Sequence, residues 1–276
     1  MRRVIPSLAA VALVLCYAST IGGMARQWWT DEDMGYGFIV PFVIAWIVWR
    51  ERSRWRGLPV QPSAWGFAIL ALAAGLQIAS ALGAGLFAGA LAFVLSLVAL
   101  VLCLLGLAWL RAWAFPLLLT LFMLPKLAIV YNQITLPLQL LATRLAGAML
   151  STAGFMVQRD GNILTVAGHS ISVVEACDGI RYLLPLAFLA LVFAYSAGAN
   201  TWIRIVMLAA AIPTAIIANA LRVAFSGLSP ALTSGTPHAV LGTFIFMLCL
   251  GLLAATYKLL TLAPGYNRIC KNQRQL

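Results

Sequence analysis

The chain has 276 residues, of which 63% are hydrophobic and 9% are charged, and its mean hydropathy is +0.99. This composition excludes an ordinary soluble domain and is typical of a polytopic membrane protein. The net charge of +11 does not indicate a nucleic-acid partner, because the basic residues fall mainly at the ends of apolar runs. We therefore expect one integral membrane domain over residues 1–276, with a basic tail at about 258–276.

Apolar runs along the chain predict an all-α protein of about eight transmembrane helices. The predicted spans are Val4 to Met24, Tyr36 to Trp49, Ala64 to Leu82, Gly85 to Trp109, Ala112 to Val130, Ile180 to Ala197, Ile203 to Phe225 and His238 to Tyr257. The first run favours a retained signal-anchor over a cleaved signal peptide, because no small-x-small site follows it. Between spans five and six, apolar positions recur at helical spacing and predict an amphipathic interfacial helix within Tyr131 to Asp160.

The charges predict the orientation of these spans. The densest basic cluster, Arg50 to Arg56, follows span two and is expected to be cytoplasmic. With both termini inside, the cytoplasmic side carries twelve of the eighteen Lys and Arg residues, and six of the seven acidic residues fall outside. The stretch from Gly161 to Pro185 then lies on the outer face.

That stretch, GNILTVAGHSISVVEACDGIRYLLP, interrupts the membrane helices. Apolar and polar residues alternate on either side of Ala167-Gly168, which predicts a short β-hairpin with a tight turn. Cys177 follows the hairpin at the start of span six, in polar surroundings. We expect the hairpin to guide a substrate and to present the thiol of Cys177.

Two ionisable residues lie near the outer ends of the last two spans. Ionisable groups within a membrane span are costly, so each of them indicates a functional role. Arg222 follows Asn219 by three residues and shares its helical face. His238 follows Thr236-Pro237, which predicts an N-cap and a first helical residue. The topology brings Cys177, Arg222 and His238 to the same membrane depth.

These side chains fit nucleophilic catalysis by a thiolate. A helix N-terminus or a nearby imidazolium stabilises a thiolate. His238 could then protonate a leaving amine, and Arg222 with Asn219 could bind the oxyanion or position the substrate backbone. The spacing of the five cysteines supports neither a metal site nor a disulfide framework, and the chemistry needs no cofactor.

The segments VVEACDGIRYLLP, IIANALRVAFSG and GTPHAVLG, in this order, resemble the Cys, Arg and His motifs of the exosortase and archaeosortase family. The early loop WWTDEDMGYGFIVP also resembles that family's acidic and aromatic loop. The resemblance covers most of the chain. Asp178 departs from the family pattern, in which a small residue follows the cysteine, and a carboxylate there would tend to raise the pKa of the thiol.

The resemblance implies a membrane cysteine protease or transpeptidase in the bacterial inner membrane. Its substrates would carry a C-terminal sorting signal of PEP-CTERM type, namely a short motif, a transmembrane helix and a basic cluster. Cleavage at the periplasmic or outer face would be followed by transfer to a lipid or glycan acceptor, in many bacteria linked to exopolysaccharide. By matched position, Cys177 is the nucleophile, Arg222 the arginine that binds substrate or transition state, and His238 the proton-transfer residue.

Other interpretations stay open at this point. An ion pair between Glu175 and Arg181 would orient the start of span six, which would make them, like Asp178, supporting residues. Arg222 could instead extend to the lipid headgroups, and His169 at the hairpin turn is the alternative proton carrier. The whole chain could be a transporter or an assembly subunit for exopolysaccharide export, or a plain intramembrane cysteine protease.

Overall fold

The computed structural model describes residues 4–166, 168–173 and 180–262. The helices are α1 Val4–Cys16, α2 Ala18–Thr30, α3 Ile39–Arg50, α4 Arg52–Arg56, α5 Trp65–Ala79, α6 Gly85–Leu104, α7 Leu107–Ala112, α8 Ala114–Leu119, α9 Ala128–Thr152, α10 Ile180–Ser196, α11 Thr201–Leu228 and α12 Gly235–Leu262. The strands are β1 Val157–Asp160, β2 Ile163–Val166 and β3 His169–Ser172. The chain divides into two compact units, residues 1–128 and 129–276.

In the first unit, α5 and α6 form a helical hairpin. They pack along each other and are joined by a π-helical turn at Ser80–Ala84. Gly83 and Gly85 have positive φ angles of 114° and 84°, which only glycine adopts at little cost. The serine hydroxyl of Ser80 donates to the carbonyl of Gly85 at 2.9 Å. This hairpin corresponds to the third and fourth predicted spans.

Also in the first unit, the predicted span from Ala112 to Val130 is wrong as a continuous helix. Helix α8 is followed by a 3-10 turn at Thr120–Met123, and the chain is then extended at Leu124, with φ of −63° and ψ of 137°. The physical cause is Pro125, because a residue that precedes proline is driven out of the helical region. Helical structure resumes only at Ala128.

The break places Lys126 beside two carboxylates. The ammonium of Lys126 lies 2.8 Å from Asp31 Oδ1 and 2.5 Å from Asp33 Oδ2. The side chains of Lys126 and Asp33 are mostly buried. These ion pairs connect the acidic loop that contains Asp31 and Asp33, which the sequence predicts to lie outside the membrane, with the segment after α8.

In the second unit, the three strands form an antiparallel sheet in the order β1-β2-β3. The predicted hairpin of β2 and β3 is found, and Gly168 in its turn has a φ of 83°. Strand β1 is not among the predicted strands, because its mostly exposed sequence VQRD carries no alternating pattern. One face of the sheet packs on α9 and α11, in a cluster made of Ala142, Ala146, Leu150, Leu164, Val166, Ile171, Val173, Val223 and Ala224.

The last two helices also follow the prediction, with shifted ends. Helix α11 begins at Thr201, where the side chain of Asn200 accepts a hydrogen bond of 2.9 Å from the backbone of Ile203. This is the usual N-cap arrangement. Helix α12 begins at Gly235, so Thr236 and Pro237 lie within its first turn and Thr236 is not the N-cap.

Several helices are long and apolar enough to cross a membrane. They are the segments Gln133–Thr152, Thr201–Leu228 and Gly235–Leu262 and the segment Trp65–Leu104, which contains both helices of the α5–α6 hairpin. The pair of α1 and α2, bent by 66°, makes a fifth if it counts as one span. The apolar helices Gly35–Arg50, Ala114–Met123 and Arg181–Ser196 are shorter. The prediction of a helical membrane protein is confirmed, whereas the prediction of eight spans is not.

Candidate active site

Arg222 and Asn219 lie on the buried face of α11. Asn219 is 1% exposed and Arg222 is 3% exposed. Arg222 follows Asn219 by three positions, so their side chains project from the same side of the helix. The neighbours Ala215, Ala218 and Val223 are also buried, and this face packs against α10 and α12.

Arg222 forms a direct hydrogen bond to His238. The distance from Arg222 Nη2 to His238 Nε2 is 2.6 Å, and the other ring nitrogen, Nδ1, lies 2.7 Å from the carbonyl oxygen of Leu232. A guanidinium only donates and a carbonyl only accepts. The two bonds together therefore specify a neutral imidazole, with the proton on Nδ1 and a lone pair on Nε2.

The turn between α11 and α12 positions this histidine. A 3-10 helix, Pro230–Leu232, carries the chain back towards α11, and Gly235 opens α12 with a φ of 71°. The hydroxyl of Ser226 donates to the same Leu232 carbonyl at 3.1 Å. This carbonyl therefore holds both the last turn of α11 and the ring of His238.

Tyr182 and Gly242 complete the surroundings of Arg222. The guanidinium carbon lies 5.5 Å from the centre of the Tyr182 ring, within reach of a cation–π interaction. The Tyr182 hydroxyl donates to the Gly242 carbonyl at 3.4 Å. A side chain at position 242 would bring its Cβ within 3.3 Å of the guanidinium, so the missing side chain gives Arg222 its room.

Three polar atoms on this face of α11 lack partners among the described residues. They are Oδ1 and Nδ2 of Asn219 and Nε of Arg222. Unpaired buried groups of this kind cost free energy and require an explanation. Asn219 also lines a cavity of about 20 Å³ with apolar side chains of α9, α10 and α11, which has room for about one water molecule.

Comparison with known families supplies the identity. The model of the family described as Transmembrane exosortase (Exosortase_EpsH) matches residues 28–255. This chain belongs to the transmembrane exosortase family. No curated protein and no solved structure matches it. Exosortases are membrane-embedded, and membership supports, in broad terms, a sorting enzyme of the cysteine transpeptidase or protease class.

The exosortase match includes every predicted site residue, but the structure describes only some of them. Cys177, Glu175 and Asp178 lie outside the described residues, so their predicted roles stay predictions. Arg181 lies in the first turn of α10. His169 is on an exposed position of β3.

Arg222 and His238 are brought together as the topology predicts, and Asn219 lies one turn away from Arg222. Their catalytic roles stay predictions as well. Within 4–166, 168–173 and 180–262 no three His, Cys, Asp or Glu side chains cluster as metal ligands do.

Two residues near the exosortase site are missed by the sequence reasoning. Tyr182 stands between Arg181 and an apolar run, where it resembles an ordinary core aromatic residue. Gly242 follows His238 by four residues and so shares its helical face. That spacing is the one signal that could have identified it.

Proposed function

We propose that this exosortase is an integral membrane cysteine transpeptidase that cleaves a C-terminal sorting signal of PEP-CTERM type. The observation that carries the proposal is the pair of the buried Arg222 and the half-buried His238, joined at 2.6 Å. A guanidinium and an imidazole inside a helical membrane domain are costly, and they are expected where function requires them. Both residues lie within the segment that the family model matches.

The first step is attack by Cys177. His238 Nε2, which carries a lone pair in the tautomer that its two hydrogen bonds require, takes the thiol proton once substrate displaces it from Arg222. The thiolate forms a C–S bond to the carbonyl carbon of the scissile peptide, and the carbonyl oxygen becomes an oxyanion. The C–N bond then breaks, and the proton on Nε2 passes to the leaving amine.

The second step releases the product from the thioester. An amine or hydroxyl group of an acceptor, or water, attacks the thioester carbonyl, and its proton passes to His238. The C–S bond breaks, and the thiolate of Cys177 takes the proton back from His238, which restores the starting thiol. A lipid or glycan acceptor gives transfer to the cell surface, whereas water gives plain hydrolysis.

Arg222 and Asn219 are proposed to bind the reacting peptide. The Nε of Arg222, which has no partner within the described part of the chain, can donate to the oxyanion, which a buried donor stabilises strongly. The amide of Asn219 offers a donor nitrogen and an acceptor oxygen, which together match a peptide group of the substrate. Arg181, Glu175 and Asp178 are proposed to support the start of α10 around the thiol.

We further propose that the chain crosses the bacterial inner membrane eight times, with both termini cytoplasmic and the site on the periplasmic side. The distribution of charge supports this arrangement. It places the three-stranded sheet outside, where the substrate protein is exported. Membrane lipids then surround the exposed apolar faces of the helices.

The test is processing of a co-expressed reporter that ends in a short motif, an apolar span and an arginine cluster. Replacement of Cys177 by Ala or by Ser is expected to abolish processing and to leave membrane accumulation unchanged. Cys249→Ala is the matched control, because this buried thiol lies within α12. Processing at the wild-type rate by both Cys177 variants would exclude the mechanism.

The C-terminus of the product separates transfer from hydrolysis. Mass spectrometry is expected to find a mass added to the new C-terminus when the acceptor is present. A free carboxylate on all of the product would instead identify a protease that releases its product to water.

A further inference from the structure

The two edges of the small sheet differ in their chemistry. Strand β1, VQRD, carries Arg159 and Asp160, while β3, HSIS, carries no residue that is charged at neutral pH and no proline. Charged residues on an edge strand prevent the addition of another strand. The β3 edge lacks that protection, and in the part of the chain that the structure describes no strand pairs with it.

The register identifies the backbone groups on the β3 edge. The amide of Val173 donates to the carbonyl of Asn162 at 3.0 Å, so this pair lies at a hydrogen-bonded position of the ladder. In an antiparallel ladder such pairs alternate with pairs that do not. Ile171 and His169 therefore bond to β2, and the N–H and C=O groups of Ser170 and Ser172 point away from it.

The position of β3 connects this edge with the candidate site. Strands β2 and β3 are the ones that pack on α11, through a cluster that contains Val223 and Ala224. These two residues directly follow Arg222 in the sequence. Ser172, at the end of β3, precedes Cys177 by five residues.

From these observations, and resting on the proposed function, we infer that β3 is the docking strand for the substrate. The extended peptide that precedes the transmembrane helix of the sorting signal adds to the sheet as a fourth strand. Its backbone pairs with Ser170 and Ser172, which offer up to four hydrogen bonds. Main-chain pairing of this kind gives affinity with little dependence on the side chains of the peptide, and it delivers an extended chain to the nucleophile.

Proline at position 170 is the direct test. It removes the N–H that points away from β2, and it leaves the backbone hydrogen bonds between β3 and β2 in place. Ser170→Pro is expected to slow processing of the reporter about tenfold. Ser170→Ala, which removes only the hydroxyl, is expected to stay within about twofold of the wild type. Arg159→Pro is the matched control, since Arg159 points its backbone outward from β1 and belongs to the edge that we do not assign.

Cross-linking tests the same contact without catalysis. In a Cys177→Ala background, Ser170→Cys is expected to form a disulfide with a cysteine placed in the reporter just before its transmembrane helix, and Arg159→Cys is not. If Ser170→Pro fails to accumulate in the membrane, this cross-linking measurement decides whether the substrate contacts β3.

The inference is overturned if Ser170→Pro accumulates and processes the reporter like the wild type. It is also overturned if Ser170→Cys links to a second copy of the chain and not to the reporter. In either case, if processing of the reporter still requires Cys177, only the docking inference fails and the proposed enzymatic function stands.

Discussion

At the scale of single residues, the ring of His238 has one hydrogen-bond assignment. Nδ1 donates to Leu232 and Nε2 accepts from Arg222. This arrangement orients the imidazole and leaves its basic nitrogen beside the guanidinium. The lone pair of Nε2 is thus engaged by Arg222, and in the proposed mechanism it takes the thiol proton only after substrate displaces the guanidinium.

Two amide substitutions separate the role of the ring in proton transfer from its role in orientation. His238→Asn keeps a donor near the position of Nδ1, and His238→Gln keeps an acceptor near that of Nε2, but neither amide carries a proton between groups. Both variants are expected to lower the processing rate about 100-fold and to keep normal membrane levels. Near-normal processing by His238→Gln, measured on the reporter, would reduce the histidine to a positioning residue.

Asn219 offers a second test at this scale. Its two side-chain polar atoms have no partner among the described residues and are costly to bury, so Asn219→Leu is expected to leave the free energy of unfolding unchanged or to raise it by about 1 kcal/mol. The processing rate of the same variant is expected to fall about tenfold, because the substrate loses its partner. Thermal melting in detergent and reporter processing measure the two effects. A variant that is stable and fully active would remove Asn219 from the site.

At the scale of elements, α12 must approach α11 closely enough to leave Arg222 between Tyr182 and Gly242. A Cβ at position 242 would lie 3.2 Å from the tyrosine hydroxyl and 3.3 Å from the guanidinium carbon. Gly242→Val adds two further methyl groups and is expected to displace Arg222. Since small errors in position are costly in catalysis, processing should fall about tenfold.

Gly251 provides the control for this element, because it lies in the same helix and nothing stands within 4 Å of its Cβ position. Gly251→Val changes helix propensity to the same extent as Gly242→Val. It is expected to process the reporter within about twofold of the wild type. Equal losses in the two variants would show that the close approach to Arg222 has no part in the activity.

The sequence predicts those elements whose signal is local. Alternation in β2 and β3, and the long apolar runs of α11 and α12, place these elements within a few residues of their observed ends. Strand β1 is missed because most of its residues are exposed and carry no pattern. The break after α8 depends on Pro125, whose effect on Leu124 overrides the hydrophobicity of the run.

Part of the site follows from the sequence as well. The predicted topology places Arg222 and His238 at one membrane depth, and the structure joins them by a hydrogen bond. The contact of Tyr182 with Gly242, sixty residues away, depends on how three helices pack, and no local pattern encodes it. The same holds for the pairing of Lys126 with Asp31 and Asp33.

At the scale of the whole molecule, the proposed orientation predicts which cysteines a reagent can reach from outside. In a Cys177→Ala background, Asp160→Cys on the exposed end of β1 is expected to react with a membrane-impermeant maleimide in intact spheroplasts. Arg54→Cys, in the basic cluster after α3, is expected to react only after lysis. The reverse pattern would invert the topology and place the sheet in the cytoplasm.

The most direct measurement is the covalent intermediate itself. In cells that express the enzyme and the reporter, mass spectrometry of the peptide containing Cys177 is expected to find the reporter fragment attached through a thioester. Neutral hydroxylamine should release it, and Cys177→Ala should lack it. Continued processing with no adduct on Cys177, or an adduct on another residue, would contradict the account.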